Sequence, residues 1–339
     1  MNPSQDSQPN PTESAITSVE CSVTHIPLSP PLDNRSLELS GAAWFGDHLV
    51  LLPQYPSRFD DRLFALPKQE ILDLLDKQTT SPLQAVPIPF DAGNLARTLP
   101  GFEGFEAIAF DTPMDNGTGQ SRVYLTIEAS PGFAMVGYLV TGFIEPDLSQ
   151  LRLEVASQSD DLTTIEPQTD ISNKSDEALL LVDGQPVTIY EANGLNVNPA
   201  PQAHRFNQSL ALDAIVPMPN IEYRITDATA VDEANRFWAI NYFFPGDNGK
   251  LQPATDPLRA KYGAGQTHNQ WKPVERLVEF QYTPREITLV ERPPVQLALL
   301  PDDEARNWEG IVRLPEMDGF LLVTDKFPDT ILAFVPLCN

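Results

Sequence analysis

Five short segments of the chain place a polar residue directly before a small residue and an apolar run. The five polar residues are Ser40, Glu106, Glu177, Asp227 and Glu309. A carboxylate at the entrance to a buried strand costs several kcal/mol unless a partner meets its charge. Because four of the five equivalent positions are acidic, the pattern indicates a shared site rather than four unrelated charges.

A second polar residue follows each of these positions, at the end of another apolar run. The second set is Gln54, Glu128, Glu191, Asn241 and Asp325. The two polar positions are 14 residues apart in three units, 16 apart in the fifth and 22 apart in the second. Two antiparallel strands joined by a turn bring the start of the first beside the end of the second. The spacing therefore predicts five hairpins whose two polar residues are neighbours.

The elements around these hairpins are short strands. Further runs rich in Val, Ile, Tyr, Phe and Thr follow the hairpins, and Pro is abundant, with 33 residues. The best helical pattern covers only residues 68–77. Units of about four strands, repeated five times, predict an all-β protein with the architecture of a five-bladed β-propeller. A further, unrecognised unit would make it six-bladed.

The two ends of the chain are predicted to meet. The last unit lacks an outer strand, which C-S-V-T-H-I-P-L at 21–28 can supply, so that N- and C-terminal strands close the ring. This closure places Cys21 near Cys338 and makes a disulfide a hypothesis, with two free thiols as the alternative. We expect residues 1–19 to be a disordered leader and residues 20–339 to form a single propeller domain.

In a propeller, the first strand of each blade lines the central channel. The first set of polar residues is therefore predicted to ring one mouth of the channel, where like charges repel unless they bind a proton or a cation. Oxygen ligands in a flexible ring favour Ca²⁺ over Zn²⁺ or Cu²⁺. The alternative is that backbone N–H groups donate hydrogen bonds to these acids. The acids of the second set, Glu128, Glu191 and Asp325, are the candidates for activating water.

Three bases stand close to the ring positions in a chain that is otherwise acidic. Arg224 and Arg306 each precede a ring residue by three positions, and Lys326 follows Asp325. They are predicted to hold the phosphoryl group of an anionic small-molecule substrate. The alternative is that they pair with ring carboxylates or surface acids. A long insertion around 241–271 is predicted to lie over the same mouth.

The overall charge narrows the classes of partner. The net charge is −25, from 47 acids and 22 bases, so the surface should repel nucleic acid and anionic membranes. No apolar run is long enough to span a bilayer. We also expect the protein to be a monomer. The first residues show no signal peptide, which predicts a cytoplasmic protein as written, or a periplasmic or extracellular one if a signal was trimmed.

Three stretches carry a resemblance to known proteins. F-E-G-F-E-A-I-A-F, N-W-E-G-I-V-R-L and G-F-L-L-V-T-D-K resemble the unit openings of the phytase-esterase-like propeller proteins of bacteria. The ring of one Ser and four acids is also similar to that of the calcium-activated apyrases, which are five-bladed propellers. The resemblance covers residues 37–338 as architecture and the unit openings as motif. It implies an axial Ca²⁺ and hydrolysis of phosphate or carboxylate esters.

Two functions are consistent with these patterns. The first is a metal-dependent hydrolase of a phosphoester or related ester. The second is a non-catalytic propeller that binds a ligand or a protein partner and keeps the calcium for structure. A deep pocket with open metal positions and water beside Glu128 or Glu191 would favour the hydrolase. A closed metal shell and a flat mouth would favour the scaffold.

Overall fold

The chain folds into groups of antiparallel strands, each of which begins with one of the predicted hairpins. The computed structural model describes residues 18–111, 119–132, 134–154 and 162–338. Apart from Ser18 and Val19, the predicted leader lies outside the described residues. The chain enters through β1 (Glu20–Cys21) and β2 (Thr24–Ile26). Five groups of strands follow, which we call units 1 to 5.

The units take up the chain in order. Unit 1 comprises β3 (Leu39–Phe45), β4 (His48–Pro53), β5 (Arg62–Pro67) and β6 (Val86–Asp91). Unit 2 comprises β7 (Phe102–Phe110), β8 (Ser121–Ala129), β9 (Val136–Ile144), β10 (Leu151–Leu153) and β11 (Thr163–Ile165). Unit 3 comprises β12 (Asp176–Val182), β13 (Gln185–Tyr190), β14 (Gln202–Phe206) and β15 (Leu212–Pro217). Unit 4 comprises β16 (Arg224–Ala228), β17 (Arg236–Phe243), β18 (Val274–Tyr282), β19 (Ile287–Leu289) and β20 (Val295–Leu297). Unit 5 comprises β21 (Trp308–Leu314), β22 (Gly319–Thr324) and β23 (Leu332–Pro336).

Among the described residues, α-helices are few and short, as the sequence predicts. They are α1 (Lys68–Leu75), α2 (Leu95–Thr98), α3 (Asn248–Leu251) and α4 (Pro257–Tyr262). The first agrees with the helical pattern at 68–77, and the last two lie in the predicted insertion. No helix in the described part of the chain is both long and apolar enough to cross a membrane. The prediction of an all-β protein is confirmed.

The first strands of the five units pack side by side in a closed cycle. β3 contacts β7, β7 contacts β12, β12 contacts β16, β16 contacts β21, and β21 contacts β3 again. Five apolar clusters fill the gaps between successive units, including the gap between unit 5 and unit 1. Each sheet therefore buries its apolar faces against its two neighbours, which is why its strands are apolar on both sides. Units 1 and 2 also join at their outer edges, where β6 pairs in parallel with β10.

The ends of the chain meet as predicted. β2 pairs antiparallel with β23, with Thr24 opposite Phe334, and supplies the outer strand that unit 5 lacks. Cys21 and Cys338 form a disulfide with their Cα atoms 5.8 Å apart. One feature was not predicted: β1 pairs in parallel with β20, so the N-terminal segment fastens to unit 4 as well as to unit 5.

Every inner strand contains a shift of register of the kind that a β-bulge produces, and the predicted ring residue lies within that shift. The register shifts fall between Leu39 and Gly41, Phe105 and Ile108, Asp176 and Ala178, Ile225 and Ala228, and Trp308 and Gly310. The extra residue leaves the alternation of the strand, so its side chain is re-aimed while the next residue starts the apolar face. This is why an acid can stand directly before a buried strand.

Gly310 shows how closely the inner strands approach at this level. A Cβ on Gly310 would lie 2.5 Å from Cγ2 of Val323 and 3.0 Å from the backbone N of Ala42. The second contact is with β3 of the neighbouring unit. The small residue that follows Glu309 is thus required by the approach of β21 to β3.

Candidate active site

A polar cavity of about 290 Å³ opens at the level of the five bulges. All the described residues that line it are polar. Eight of them are acids: Glu38, Glu103, Glu106, Glu128, Glu177, Asp247, Glu309 and Asp325. Four are bases: Lys174, Arg224, Lys250 and Lys326. Acids outnumber bases by two to one, so the cavity carries a strong negative potential when they are ionised.

The cavity collects most of the residues singled out in the sequence. From the first ring it contains Ser40, Glu106, Glu177 and Glu309; from the second set, Gln54, Glu128 and Asp325; from the bases, Arg224 and Lys326. Asp227, Glu191, Asn241 and Arg306 are buried nearby and do not line it. The predicted hairpins therefore bring most of these residues together in one cavity. The four that do not line it are buried in the surrounding structure.

Arg224 lies among three of the predicted carboxylates. Its Nη2 is 3.3 Å from Oε2 of Glu177 and 3.2 Å from Oε1 of Glu309, and its Nε donates to Oε1 of Glu191. Burial by itself lowers the pKa of Arg224, but the charges of Glu177 and Glu309 raise it above its ordinary value. The guanidinium therefore stays charged, and the alternative in which it pairs with ring carboxylates describes it correctly.

Lys174 completes this network from the segment that leads into β12. Its Nζ lies 3.0 Å from Oε2 of Glu191, which is fully buried. Burial and the neighbouring Arg224 charge lower the pKa of Lys174 to about 8. Burial raises the pKa of Glu177 and that of Glu309, while Arg224 opposes the rise in both. The network thus holds two cations against three acids in a largely dry region.

Glu106 and Glu128 stand outside this network. Oε1 of Glu106 accepts a hydrogen bond of 3.2 Å from Nε2 of Gln54. Oε1 of Glu128 is buried and has no hydrogen-bond partner among the described residues. Burial and the charge of Glu128 raise the pKa of Glu106 well above its usual range. Burial and the charge of Glu177 raise the pKa of Glu128 to about 7, against the opposing charge of Lys174.

Two members of the predicted ring join neighbouring units. Oγ of Ser40 donates a 2.6 Å hydrogen bond to the carbonyl of Phe105 in unit 2. Oδ2 of Asp227 accepts a 2.8 Å hydrogen bond from the backbone N–H of Ile311 in unit 5. Burial raises the pKa of Asp227 well above its ordinary value. Asp227 therefore agrees with the alternative to metal binding, in which a backbone N–H group of another unit donates a hydrogen bond to the acid.

Arg306 also has a structural role, because it forms a buried ion pair. Its Nε donates to Oε2 of Glu275 at 2.8 Å, and Nε1 of Trp308 donates to the same oxygen at 2.7 Å. The Arg306 side chain is 3% exposed and is not among the residues that line the cavity. It is therefore not placed to hold a substrate in that cavity, because its charge already balances a buried acid.

The mouth is formed by unit 5, unit 1 and the insertion. Nζ of Lys326 lies 3.1 Å from Oε2 of Glu38, which also pairs with Arg58 at 2.8 Å. Asp247 and Lys250, at the start of the predicted insertion, line the cavity. Burial raises the pKa of Asp325, although the backbone N–H of Phe327 donates a hydrogen bond to it. The insertion therefore contributes to the same mouth, as predicted.

Sequence reasoning missed Lys174, although a signal was present. Lys174 precedes Glu177 by three residues, as Arg224 precedes Asp227 and Arg306 precedes Glu309. In all three units, the base at this position is buried and pairs with an acid. The recurring spacing could have identified a third internal cation.

These contacts do not fit a Ca²⁺ at the centre of the five-residue ring. Arg224 already bonds to Glu177 and Glu309, while Ser40 and Asp227 bond to backbone groups. Among the described residues, no group of three or more His, Cys, Asp and Glu side chains converges as metal ligands would. Calcium binding stays a prediction from the resemblance.

No family model and no curated protein matches the chain. Among solved structures, the glutaminyl cyclase of Myxococcus xanthus is 11% identical, covering 95% of this chain and 99% of that chain, with a TM-score of 0.44. A GH43 endo-arabinanase from Bacillus licheniformis is 10% identical, covering 91% and 96%, with a TM-score of 0.44. The catalytic domain of the GH62 alpha-L-arabinofuranosidase of Coprinopsis cinerea is 9% identical, covering 93% and 96%, with a TM-score of 0.47. At TM-scores below 0.5, these likenesses assign the chain neither a family nor an activity.

Proposed function

We propose that the chain is a five-bladed β-propeller that hydrolyses a small ester in its axial cavity. The five units, the closed cycle of inner strands and the five apolar clusters between successive units support the blade count. A closed cycle leaves a central opening, and the bulges aim polar side chains into it. The cavity at the bulges is then the axial site.

The observation that carries the hydrolase is the Glu128 carboxylate. It is 3% exposed, lines the cavity, and has an oxygen without a hydrogen-bond partner among the described residues. Its pKa of about 7 lets it hold or release a proton near neutral pH. Glu128 is thus the best candidate to accept a proton from water. The oxygen of that water would bond to the carbonyl carbon of the ester. The bond to the alcohol group would then break, and Glu128 would pass the proton to the departing alkoxide.

The other predicted catalytic acids are less well placed. Glu191 is fully buried and bonded to Lys174 and Arg224, so it supports the network from behind. Asp325 lines the cavity and remains a candidate. Because Arg224 is shared by three carboxylates and Lys326 pairs with Glu38, Lys250 at the mouth is the cation more available to a developing oxyanion.

The excess of acids bears on the type of ester. A phosphate monoester, as a dianion, would meet eight acids and four bases in the cavity lining. An uncharged or amine-bearing ester meets no such repulsion. The resemblance implies either phosphate or carboxylate esters as substrates. Of these two classes, the proposal favours carboxylate esters.

A screen with p-nitrophenyl acetate and p-nitrophenyl phosphate tests the proposal. We expect hydrolysis of the acetate, with a rate that rises with pH through about 7 because the ionised Glu128 is the active form. Glu128→Gln should lower kcat by about 10²-fold or more, whereas Glu38→Gln, whose acid already pairs with two cations, should keep most of it. Activity that survives Glu128→Gln unchanged would overturn the assignment.

A non-catalytic binding propeller is the second candidate. The closed network of Arg224 with Glu177, Glu191 and Glu309 favours it, because that network is satisfied without a ligand. Absence of turnover, together with saturable binding of a ligand, would support this reading. Disulfides are typical of oxidising compartments, and the Cys21–Cys338 bond supports our proposal that the protein works in the periplasm or outside the cell.

A further inference from the structure

The wall of the cavity that units 1 and 2 provide is acidic. It presents Glu38, Glu103, Glu106 and Glu128, and none of the described bases that line the cavity comes from these two units. Lys174, Arg224, Lys250 and Lys326 all come from the opposite side, from the segments of units 3 to 5. The cavity is therefore polarised, with its uncompensated negative charge on one wall.

Two acids of this wall already have polar or charged partners within the protein. Glu38 pairs with Arg58 and Lys326. Oε1 of Glu103 accepts a hydrogen bond from the hydroxyl of Ser130. Glu103 has no cation either, but it is only partly buried, so water can solvate its charge. The buried charge that is left without a cation belongs to Glu106 and Glu128.

Glu106 and Glu128 are nearly buried, at 7% and 3% exposure, and no ion pair with either is present among the described residues. Gln54 gives Glu106 one neutral hydrogen bond, and Oε1 of Glu128 has none. Lys174, whose charge lowers the pKa of Glu128, is bonded to Glu191 instead. Two adjacent carboxylates in a dry wall need protons or an outside cation, since their mutual repulsion adds to the cost of burial.

The geometry favours an organic cation over a metal ion. A calcium site needs six to eight oxygens arranged around one point, and the acids of the described residues do not converge in that way. A primary ammonium group needs only two or three acceptors, which Glu106 and Glu128 can supply from one wall. The cavity volume of about 290 Å³ also suits a small molecule rather than a bare ion.

We propose that Glu106, with the charge of Glu128 beside it, binds an ammonium group, so that the site takes small esters that carry a primary amine close to the scissile carbonyl. An amine two bonds from the carbonyl would put the reacting carbon next to Glu128 when the nitrogen lies at Glu106. The ammonium charge also keeps Glu128 ionised. The substrate class rests on the proposed hydrolase, whereas the ammonium site itself does not.

Binding is measured first, with a matched pair that cannot react as esters. Glycinamide and glycolamide differ only in an ammonium group against a hydroxyl, and both are titrated calorimetrically into the full-length protein at neutral pH. We expect saturable binding of glycinamide and at least about tenfold weaker binding of glycolamide. Glu106→Gln should weaken glycinamide at least about tenfold, whereas Glu38→Gln should change it less than about twofold.

Turnover is measured second, with glycine methyl ester and methyl glycolate. Glycinamide binding without turnover of either ester would overturn the hydrolase and leave the ammonium site standing. Equal turnover of both esters, with no preference for glycinamide, would leave the hydrolase and overturn the ammonium site. Binding of Ca²⁺ but not of glycinamide would also overturn it. The wild-type comparison needs no variant, so a misfolded Glu106→Gln cannot obscure the result.

Discussion

Replacing Arg224 with methionine probes the network behind the cavity. Methionine keeps much of the side-chain volume but leaves Glu177, Glu191 and Glu309 without their shared cation. Lys174 still compensates Glu191, so two buried carboxylates lose their charge partner. Removing one partner of a buried ion pair costs about 3–5 kcal/mol. We expect a loss of this size in the free energy of unfolding at about pH 8.

The same variant should recover at lower pH. The pKa values of Glu177 and Glu309 already lie above the ordinary carboxyl value, and removing Arg224 raises them further. The folded state then holds protons that the unfolded state releases, so its stability falls as pH rises between the two pKa values. At about pH 5 the loss should shrink to below about 2 kcal/mol, because protonation neutralises both acids.

Urea unfolding of the wild type and Arg224→Met at the two pH values measures this difference. Adding Glu177→Gln to Arg224→Met should restore part of the stability at the higher pH, because one uncompensated charge disappears. A loss below about 1 kcal/mol that is equal at both pH values would show that the carboxylates are solvated, and would refute the buried network.

Three further outcomes are expected. Reducing the Cys21–Cys338 bond should lower the free energy of unfolding by about 2–5 kcal/mol, measured as the urea midpoint with and without dithiothreitol; an unchanged midpoint in Cys338→Ser would contradict a stabilising role. Gly310→Ala should destabilise by about 1–3 kcal/mol because its Cβ would meet Val323 and Ala42, and an unchanged melting temperature would show that the strands can separate. EDTA-treated protein titrated with CaCl₂ or MgCl₂ should show no Ca²⁺-selective rise in melting temperature, since Arg224 already compensates the ring; a selective rise that Glu309→Gln abolishes would establish calcium at the ring.

The repeat made the fold largely predictable. Equal 14-residue spacings in units of weakly similar sequence fixed which strands pair, and hence that Glu177 and Glu191 lie together. The missing outer strand of the last unit predicted that Thr24 would pair near the C-terminus. These inferences succeed because the pairing of a hairpin depends on which strands follow each other in the chain and on the pattern of polar and apolar residues. Both can be read from a single sequence.

The direction of individual side chains was much less predictable. The bulges depend on how each inner strand meets its neighbours, and nothing in the residues around Glu177 or Glu309 specifies them. Arg224 and Arg306 look alike in the sequence, each three residues before a ring position. Arg224 lines the cavity, whereas Arg306 does not line it and pairs with the buried Glu275. That choice is made by tertiary packing, which the spacing does not encode.

The pairing of β2 with β23 has a consequence for biosynthesis. Thr24 leaves the ribosome long before Phe334, its partner, has been made. At about 5–20 residues per second, the delay is roughly 15–60 s. During that time β2 of the nascent chain has no sheet to join, and the last gap between units stays open to solvent. The last gap therefore stays exposed to proteases and to self-association until β23 has been made and the fifth unit is complete.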